Sequence, residues 1–122
     1  ILMTRLVYTD KDSVPLKAYI GVKNHWQFTM TNDDGSVLDA TGYSFFCEVR
    51  DKPGGALLAT LSVDETDIAT GVLVLNMTMA NSLLIGQRSA VYDVLMQQDA
   101  TPTNTVRLWG GIFELEPTVT EV

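Results

Sequence analysis

Apolar and polar residues alternate along most of this chain with a period of two. In the segment Tyr43–Arg50, every odd-numbered position is Tyr, Phe, Cys or Val, and the even-numbered positions include Ser, Glu and Arg. The segment 72–79 repeats the pattern with leucine and methionine on one side. Because successive side chains of a strand point to opposite faces of a sheet, this alternation predicts half-buried β-strands.

Short clusters of Gly, Pro, Asn and Asp separate the alternating segments, and no long helical period occurs. Asp-Gly at 34–35 and Lys-Pro-Gly-Gly at 52–55 are typical of turns. This spacing predicts an all-β antiparallel sandwich over residues 16–118, with an N-terminal arm or edge strand at 1–15 and a tail at 119–122. The predicted strands are 16–22, 25–31, 37–38, 43–50, 57–62, 72–79, 89–98 and 105–116, and one helical turn is predicted at 81–85.

The shared phase of the strands predicts which side chains form the core. These are Tyr43, Phe45, Cys47, Leu73, Leu75, Met77, Tyr92 and Val94. Several bulky apolar residues fall on the opposite faces of the same strands, where a sandwich normally meets water. We interpret this outer face as a partner-binding surface; the alternative is a cover formed by loops, the N-terminal arm or barrel-like closure. The predicted interface residues are Phe46, Val91, Leu95, Trp109 and Phe113.

Composition limits the remaining functions. The chain has 122 residues, a net charge of −7 and 46% hydrophobic residues, which indicates one folded domain. The basic residues are few and scattered, whereas binding to phosphate backbones requires clustered Lys and Arg. No apolar run is long enough to span a membrane as a helix. We therefore expect neither nucleic acid nor membrane as a partner.

Catalytic chemistry has little support in the sequence. His25 is the single histidine, and Cys47 is the single cysteine, on the apolar side of its strand. Asp64, Glu65 and Asp67 crowd one segment, without apolar neighbours that would raise a carboxyl pKa. No phosphate-binding, nucleophile-elbow or zinc-protease motif is present. The sequence predicts a protein that is not an enzyme and that has no metal site and no cofactor.

Five segments have a more specific pattern: Trp26-x-Phe-x-Met30, Asp33-Asp-Gly-Ser-Val-Leu-Asp-Ala-Thr-Gly-Tyr43, Val49-Arg-Asp-Lys-Pro-Gly-Gly55, Tyr92-Asp-Val94 and Gly111-x-Phe-x-Leu115. Together they resemble small immunoglobulin-like virion proteins of tailed bacteriophages. That family includes the N-terminal module of baseplate upper proteins and its stand-alone relatives. The resemblance implies an immunoglobulin-like sandwich of about seven to eight strands and supplies no catalytic residues.

The resemblance also implies a location and partners. A member of this family is a virion structural protein, assembled in the host bacterial cytoplasm, that contacts other virion proteins in a homo-oligomeric array or symmetric assembly. The short sequence, without a fibre or receptor-binding domain, favours a capsid decoration or cement subunit. A neck, tail or baseplate component is the first alternative. A carbohydrate-binding module, with Trp26 or Trp109 as a stacking platform, is the second.

Overall fold

A computed structural model of the chain describes residues 6–7, 12–32 and 34–120. The strands are β1 (Leu6–Val7), β2 (Asp12–Ser13), β3 (Leu16–Ile20), β4 (Asn24–Thr31), β5 (Tyr43–Arg50), β6 (Leu57–Asp64), β7 (Val72–Met77), β8 (Ser89–Gln98) and β9 (Thr101–Pro117). A 3-10 turn at Ile68–Thr70 precedes β7, and one helix, α1 (Met79–Leu84), follows it. No helix among these residues is long and apolar enough to cross a membrane.

The strands form two layers that share one strand. The order of hydrogen-bonded neighbours is β1-β4-β7-β6-β5-β8-β9-β2, and β3 also pairs with β9. The first half of β6 pairs with β5, whereas its last three residues pair with β7. β6 therefore connects a layer of β4 and β7 to a layer of β5, β8 and β9. The predicted all-β sandwich is confirmed.

Aromatic side chains fill the space between the layers. Trp26 and Phe28 of β4 face β9, where the ring of Trp26 lies 5.6 Å from that of Phe113 and the ring of Phe28 lies 4.8 Å from that of Trp109. Seven of the eight predicted core residues are buried, and Tyr43 is partly buried against the same cluster. The alternation in the sequence therefore identified the buried faces of β5, β7 and β8 correctly.

The two outermost long strands, β3 and β4, are connected by side chains. The indole Nε1 of Trp26 donates a hydrogen bond to the carbonyl oxygen of Lys17, at 3.2 Å. The buried amide of Asn24 accepts from the backbone N–H of Tyr19 and donates to its carbonyl oxygen, both at 2.9 Å. The Asn24 side chain thus satisfies the backbone N–H and carbonyl groups of Tyr19, which would otherwise need hydrogen-bond partners on a neighbouring strand. These bonds close the sandwich between its two layers.

The structure corrects several predicted elements. The N-terminal segment is not antiparallel to its neighbours: β1 runs parallel to β4, and β2 and β3 run parallel to β9. Of the predicted arm and tail, residues 1–5, 8–11 and 121–122 lie outside the described residues. The predicted strand at 37–38 is one isolated bridge between Thr31 and Val37. The helix begins earlier than predicted, because the side chain of Thr78 accepts the N–H of Asn81 as an N-cap.

Candidate interaction surface

A β-bulge in β9 changes the face that its second half presents. Val94 pairs with Trp109, whereas the next residue, Leu95, pairs with Arg107, so Leu108 has no partner on β8. One extra residue in a strand moves every later side chain to the opposite face. Trp109 and Phe113 therefore point into the core, with 1% and 0% of their surface exposed. Their prediction as interface residues is wrong.

The outer face is formed instead by other members of the same strands. In the central strand β8, Leu95 lies between Phe46 of β5 and Arg107 of β9. Val91 lies between Arg50 of β5 and Ile112 of β9. Phe46 remains 48% exposed and Ile112 remains 51% exposed, while Val91 and Leu95 are partly buried. Among the described residues, neither a loop nor the N-terminal segment covers this face. We call the set Phe46, Val91, Leu95 and Ile112 the apolar face.

Two ion pairs lie within the apolar face. Glu48 and Asp93 are cross-strand neighbours, and like charges at such positions repel. Each has an arginine nearby: Nη2 of Arg50 lies 2.9 Å from Oε1 of Glu48, and Nε of Arg107 lies 3.6 Å from Oδ2 of Asp93. These partly exposed pairs contribute little to stability. Their effect is that each carboxylate on this face is neutralised by a neighbouring arginine.

Glycines and a turn shape this face into a groove of about 610 Å³. The guanidinium of Arg107 lies where a Cβ of residue 110 would be, so Gly110 allows that side chain to lie flat on the sheet. At the other border, Nη1 of Arg50 donates to the carbonyl oxygen of Gly55, at 2.8 Å, and fixes the 51–56 turn beside the groove. Lys52 and Pro53 of this turn form one wall.

The N-terminal segment forms the opposite border. The hydroxyl of Tyr92 donates to the carbonyl oxygen of Val14, at 2.5 Å, and the N–H of Val14 donates to Gly110, at 2.8 Å. A Cβ at residue 111 would lie within 3.2 Å of the backbone of Val14, so this close approach requires Gly111. Ser13 consequently lines the groove.

The two candidate nucleophile and base residues do not form a dyad. The side chain of Cys47 is buried between the layers, whereas that of His25 is exposed on β4. Burial raises the pKa of the Cys47 thiol, and the nearby carboxylates of Asp93 and Glu48 add to the increase. The thiolate, which is the reactive form of cysteine, is therefore suppressed in the folded protein.

We expect Cys47 to resist alkylation for as long as the protein is folded. Labelling by a maleimide should proceed no faster than unfolding, because the thiol has to reach solvent before it ionises. The measurement is the labelling rate by mass spectrometry with increasing denaturant, with unfolded protein as the control. Rapid stoichiometric labelling in native buffer would show that the burial of Cys47 is wrong.

In the acidic segment at 64–67, the pKa values of two neighbouring carboxyl groups are shifted in opposite directions. Oδ1 of Asp64 accepts hydrogen bonds from the N–H and the hydroxyl of Thr66, which lower the pKa of Asp64. Partial burial and then the charge of Asp99 raise the pKa of Glu65, so the prediction that no carboxyl pKa is raised in this segment is wrong. Within the described residues, no cluster of three or more His, Cys, Asp or Glu side chains is arranged to hold a metal ion.

Neither tryptophan can serve as a stacking platform for sugars. Trp26 and Trp109 are both buried between the layers, and a platform for a sugar ring has to be open to solvent. The exposed aromatic residue on the apolar face is Phe46. The carbohydrate-binding alternative therefore loses both residues on which it depended.

Comparison with known proteins identifies the fold. No protein-family model and no curated protein sequence matches this chain. Among solved structures, the chain is similar to the N-terminal domain of phage TP901-1 ORF48, with 12% sequence identity and a TM-score of 0.57. The match covers 93% of this chain and 99% of that one. At this level of identity the likeness shows a shared fold and transfers no site.

Proposed function

We propose that this protein is a non-enzymatic structural component of a phage virion and that the apolar face binds another virion protein. The fold shared with a domain of a phage protein supports the phage origin. The single observation that carries the binding role is the exposure of Phe46 and Ile112 beside Val91 and Leu95 on a regular sheet. Large apolar side chains exposed together on one face are unfavourable in water unless a partner covers them.

The chemistry of the face fits a protein partner. Interface centres are enriched in aromatic and arginine side chains and depleted in uncompensated charge. Here Phe46 shares the face with two arginines, and the carboxylates of Glu48 and Asp93 are already paired with them. A partner can therefore cover the face without leaving an isolated charge unpaired, which would be costly. The groove between the 51–56 turn and the N-terminal segment would receive a protruding apolar side chain of the partner.

Two placements in the particle fit this proposal. A capsid decoration subunit would present the apolar face to the shell, and a neck, tail or baseplate subunit would present it to a neighbouring tail protein. The shared fold does not favour the capsid over the tail. Both placements require the same face, so one pair of variants tests the proposal for either.

We expect the double variant Phe46→Ser, Ile112→Ser to fold normally and to be depleted from purified particles. Truncation of an interface anchor commonly costs about 2 kcal/mol, or roughly a thirtyfold loss of affinity. The measurement is quantitative mass spectrometry of virions from a phage that carries the variant gene. Val74→Ser, at a partly buried position of β7 in the other layer, is the control and should be incorporated normally.

The two parts of the proposal fail in different ways. Absence of the wild-type protein from purified virions would contradict the structural role. Normal incorporation of the double variant would contradict the apolar face as the binding surface, while leaving the structural role intact.

A further inference from the structure

The loops of this sandwich collect at two opposite ends, and the strand directions determine which end each loop occupies. The β3–β4 turn (21–23), the β5–β6 turn (51–56) and the segment with α1 (78–88) lie at one end, where β9 also finishes. The loops at 32–42, 65–71 and 99–100 lie at the other end. We call these the helix end and the acidic end.

The acidic end carries carboxylates and no basic residue among its described positions. The loops converge there. The N–H of Ala40 donates a hydrogen bond to the carbonyl oxygen of Ile68, and the N–H of Asp99 donates one to the carbonyl oxygen of Gly42. The charge of Asp99 contributes to the raised pKa of Glu65, which places these two loops close together. The six acidic residues of this end are Asp34, Asp39, Asp64, Glu65, Asp67 and Asp99.

The helix end has the opposite character. Its loops contain three basic residues, Lys23, Lys52 and Arg88, and one described acidic residue, Asp51. At the adjoining end of β9, Glu116 is paired with Lys17, at 3.2 Å. It is also apolar, because α1 exposes 57% of Leu83 and 75% of Leu84, and Met79 and Val22 are exposed nearby. The helix is fixed to the β3–β4 turn, where the N–H of Gly21 donates to the hydroxyl of Ser82 at 2.9 Å. We call these exposed side chains of α1 the helix knob.

A groove at the acidic end matches the helix knob in chemistry. It has a volume of about 310 Å³ and lies between the 32–42 loop and the start of β9. Its lining combines apolar side chains with a few polar ones at the border: Leu38, Ala40, Tyr43, Met96 and Val106, with Asn32, Asp39 and Asn104. The two ends are therefore complementary in charge and also in apolar surface.

We propose that copies of this protein associate head to tail, with the helix knob of one copy in the acidic-end groove of the next. Lys23 and Arg88 of the first copy then lie among the carboxylates of the second, which supplies the electrostatic complementarity typical of specific interfaces. The occupant is a second copy because one chain carries both halves of the match. The two halves lie at opposite ends, so the contact is heterologous and produces rings or filaments.

This contact is independent of the proposed virion partner. It uses the helix knob and the acidic-end groove and leaves the outer face of β5, β8 and β9 free to bind another protein. The 51–56 turn is the one described segment that borders both the helix end and the groove of the apolar face. Failure of head-to-tail association would not affect the virion role, and failure of the virion role would not affect the association.

The association is tested with variants that each block one end. Leu83→Ser, Leu84→Ser removes the helix knob. Asp67→Lys reverses a charge at the acidic end, at a side chain that makes no hydrogen bond within the described residues. Sedimentation velocity of the wild type, up to about 1 mM protein, should show species that grow beyond a dimer. Each variant alone should associate about tenfold more weakly.

The decisive sample is a mixture of the two variants. One variant retains an intact acidic end and the other retains an intact helix end. At concentrations where each variant alone is monomeric, the mixture should therefore form a heterodimer and nothing larger. The double variant Gln27→Lys, Thr60→Lys has the same net charge as Asp67→Lys, but its substitutions lie in the middle of β4 and β6, and it should associate like the wild type. Lys23→Glu, Arg88→Glu provides a second test of the helix end if the leucine variant does not fold.

Three results would overturn the proposal. If the wild type stays monomeric at about 1 mM, copies of the protein do not associate head to tail with measurable affinity. Equal loss of association in Asp67→Lys and in the Gln27→Lys, Thr60→Lys variant would assign the effect to net charge. A mixture that forms no heterodimer, or an end-blocked variant that assembles like the wild type, would show that the contact is not head to tail.

Discussion

Trp109→Ala is expected to destabilise the protein by about 3–5 kcal/mol, the range measured when a buried aromatic residue is truncated to alanine. The ring of Trp109 is 1% exposed and packs 4.8 Å from the ring of Phe28 in the other layer. Its removal leaves a cavity that two sheets held by backbone hydrogen bonds cannot close. The measurement is the free energy of unfolding from a denaturant titration monitored by circular dichroism, since the substitution removes a fluorophore.

Phe46→Ala is the matched control for this prediction. Phe46 lies in the same layer but on the outer face, where about half of its surface is already in water. We expect it to change the free energy of unfolding by less than about 1 kcal/mol, as exposed substitutions usually do. The two variants therefore compare the inner face of this layer with its outer face. A small effect for Trp109→Ala together with a large one for Phe46→Ala would mean that the inner and outer faces of the layer of β5, β8 and β9 are reversed.

Trp26→Ala is expected to cost a similar amount, about 3–5 kcal/mol, for two separate reasons. Its ring is fully buried and packs in an edge-to-face arrangement with the ring of Phe113, with 5.6 Å between the ring centroids. Its Nε1 is also the donor that connects β4 to the carbonyl oxygen of Lys17 on β3. The substitution therefore removes core volume and one of the bonds that close the sandwich.

Trp26→Phe separates these two contributions. The phenyl ring retains much of the packing but removes the donor to Lys17, and a hydrogen bond of this kind is worth about 0.5–1.5 kcal/mol. Amide hydrogen exchange should then show faster opening of β3 than of β8, because only β3 loses a contact. Uniform acceleration across all strands would contradict a specific role of this bond in closure.

The sequence was sufficient to predict the buried residues of strands in which the alternation of apolar and polar positions is unbroken from end to end. Cys47, Leu75 and Val94 lie in such strands, and all three are buried as predicted. β9 differs because its phase changes at Leu108, and a bulge is set by the pairing with β8, which a single strand does not reveal. The one local signal was the Gly110-Gly111 pair, since glycine within a strand often marks a bulge or a close backbone approach.

The predicted interface residues show the same difference between strands of constant phase and β9. Phe46, Val91 and Leu95 were assigned to the outer face from strands of constant phase, and the structure places them there. Ile112 was missed because the residues after the bulge exchange faces. The parallel pairing of β3 with β9 had no sequence signal either, since it joins segments almost a hundred positions apart. The charges of the loops, in contrast, could have been compared by end, because consecutive loops alternate between the two ends.

The parallel border between β3 and β9 determines how the domain responds to a mechanical load. Residues Leu16–Ile20 and Phe113–Pro117 run side by side in the same direction. Tension applied to the segment before β3 and to the segment after β9 would therefore slide these two strands along each other. Their evenly spaced hydrogen bonds would then be stretched together instead of breaking one after another. Under such force the lifetime of the fold depends on its unfolding rate, and this shear geometry suits a domain that transmits tension without extending.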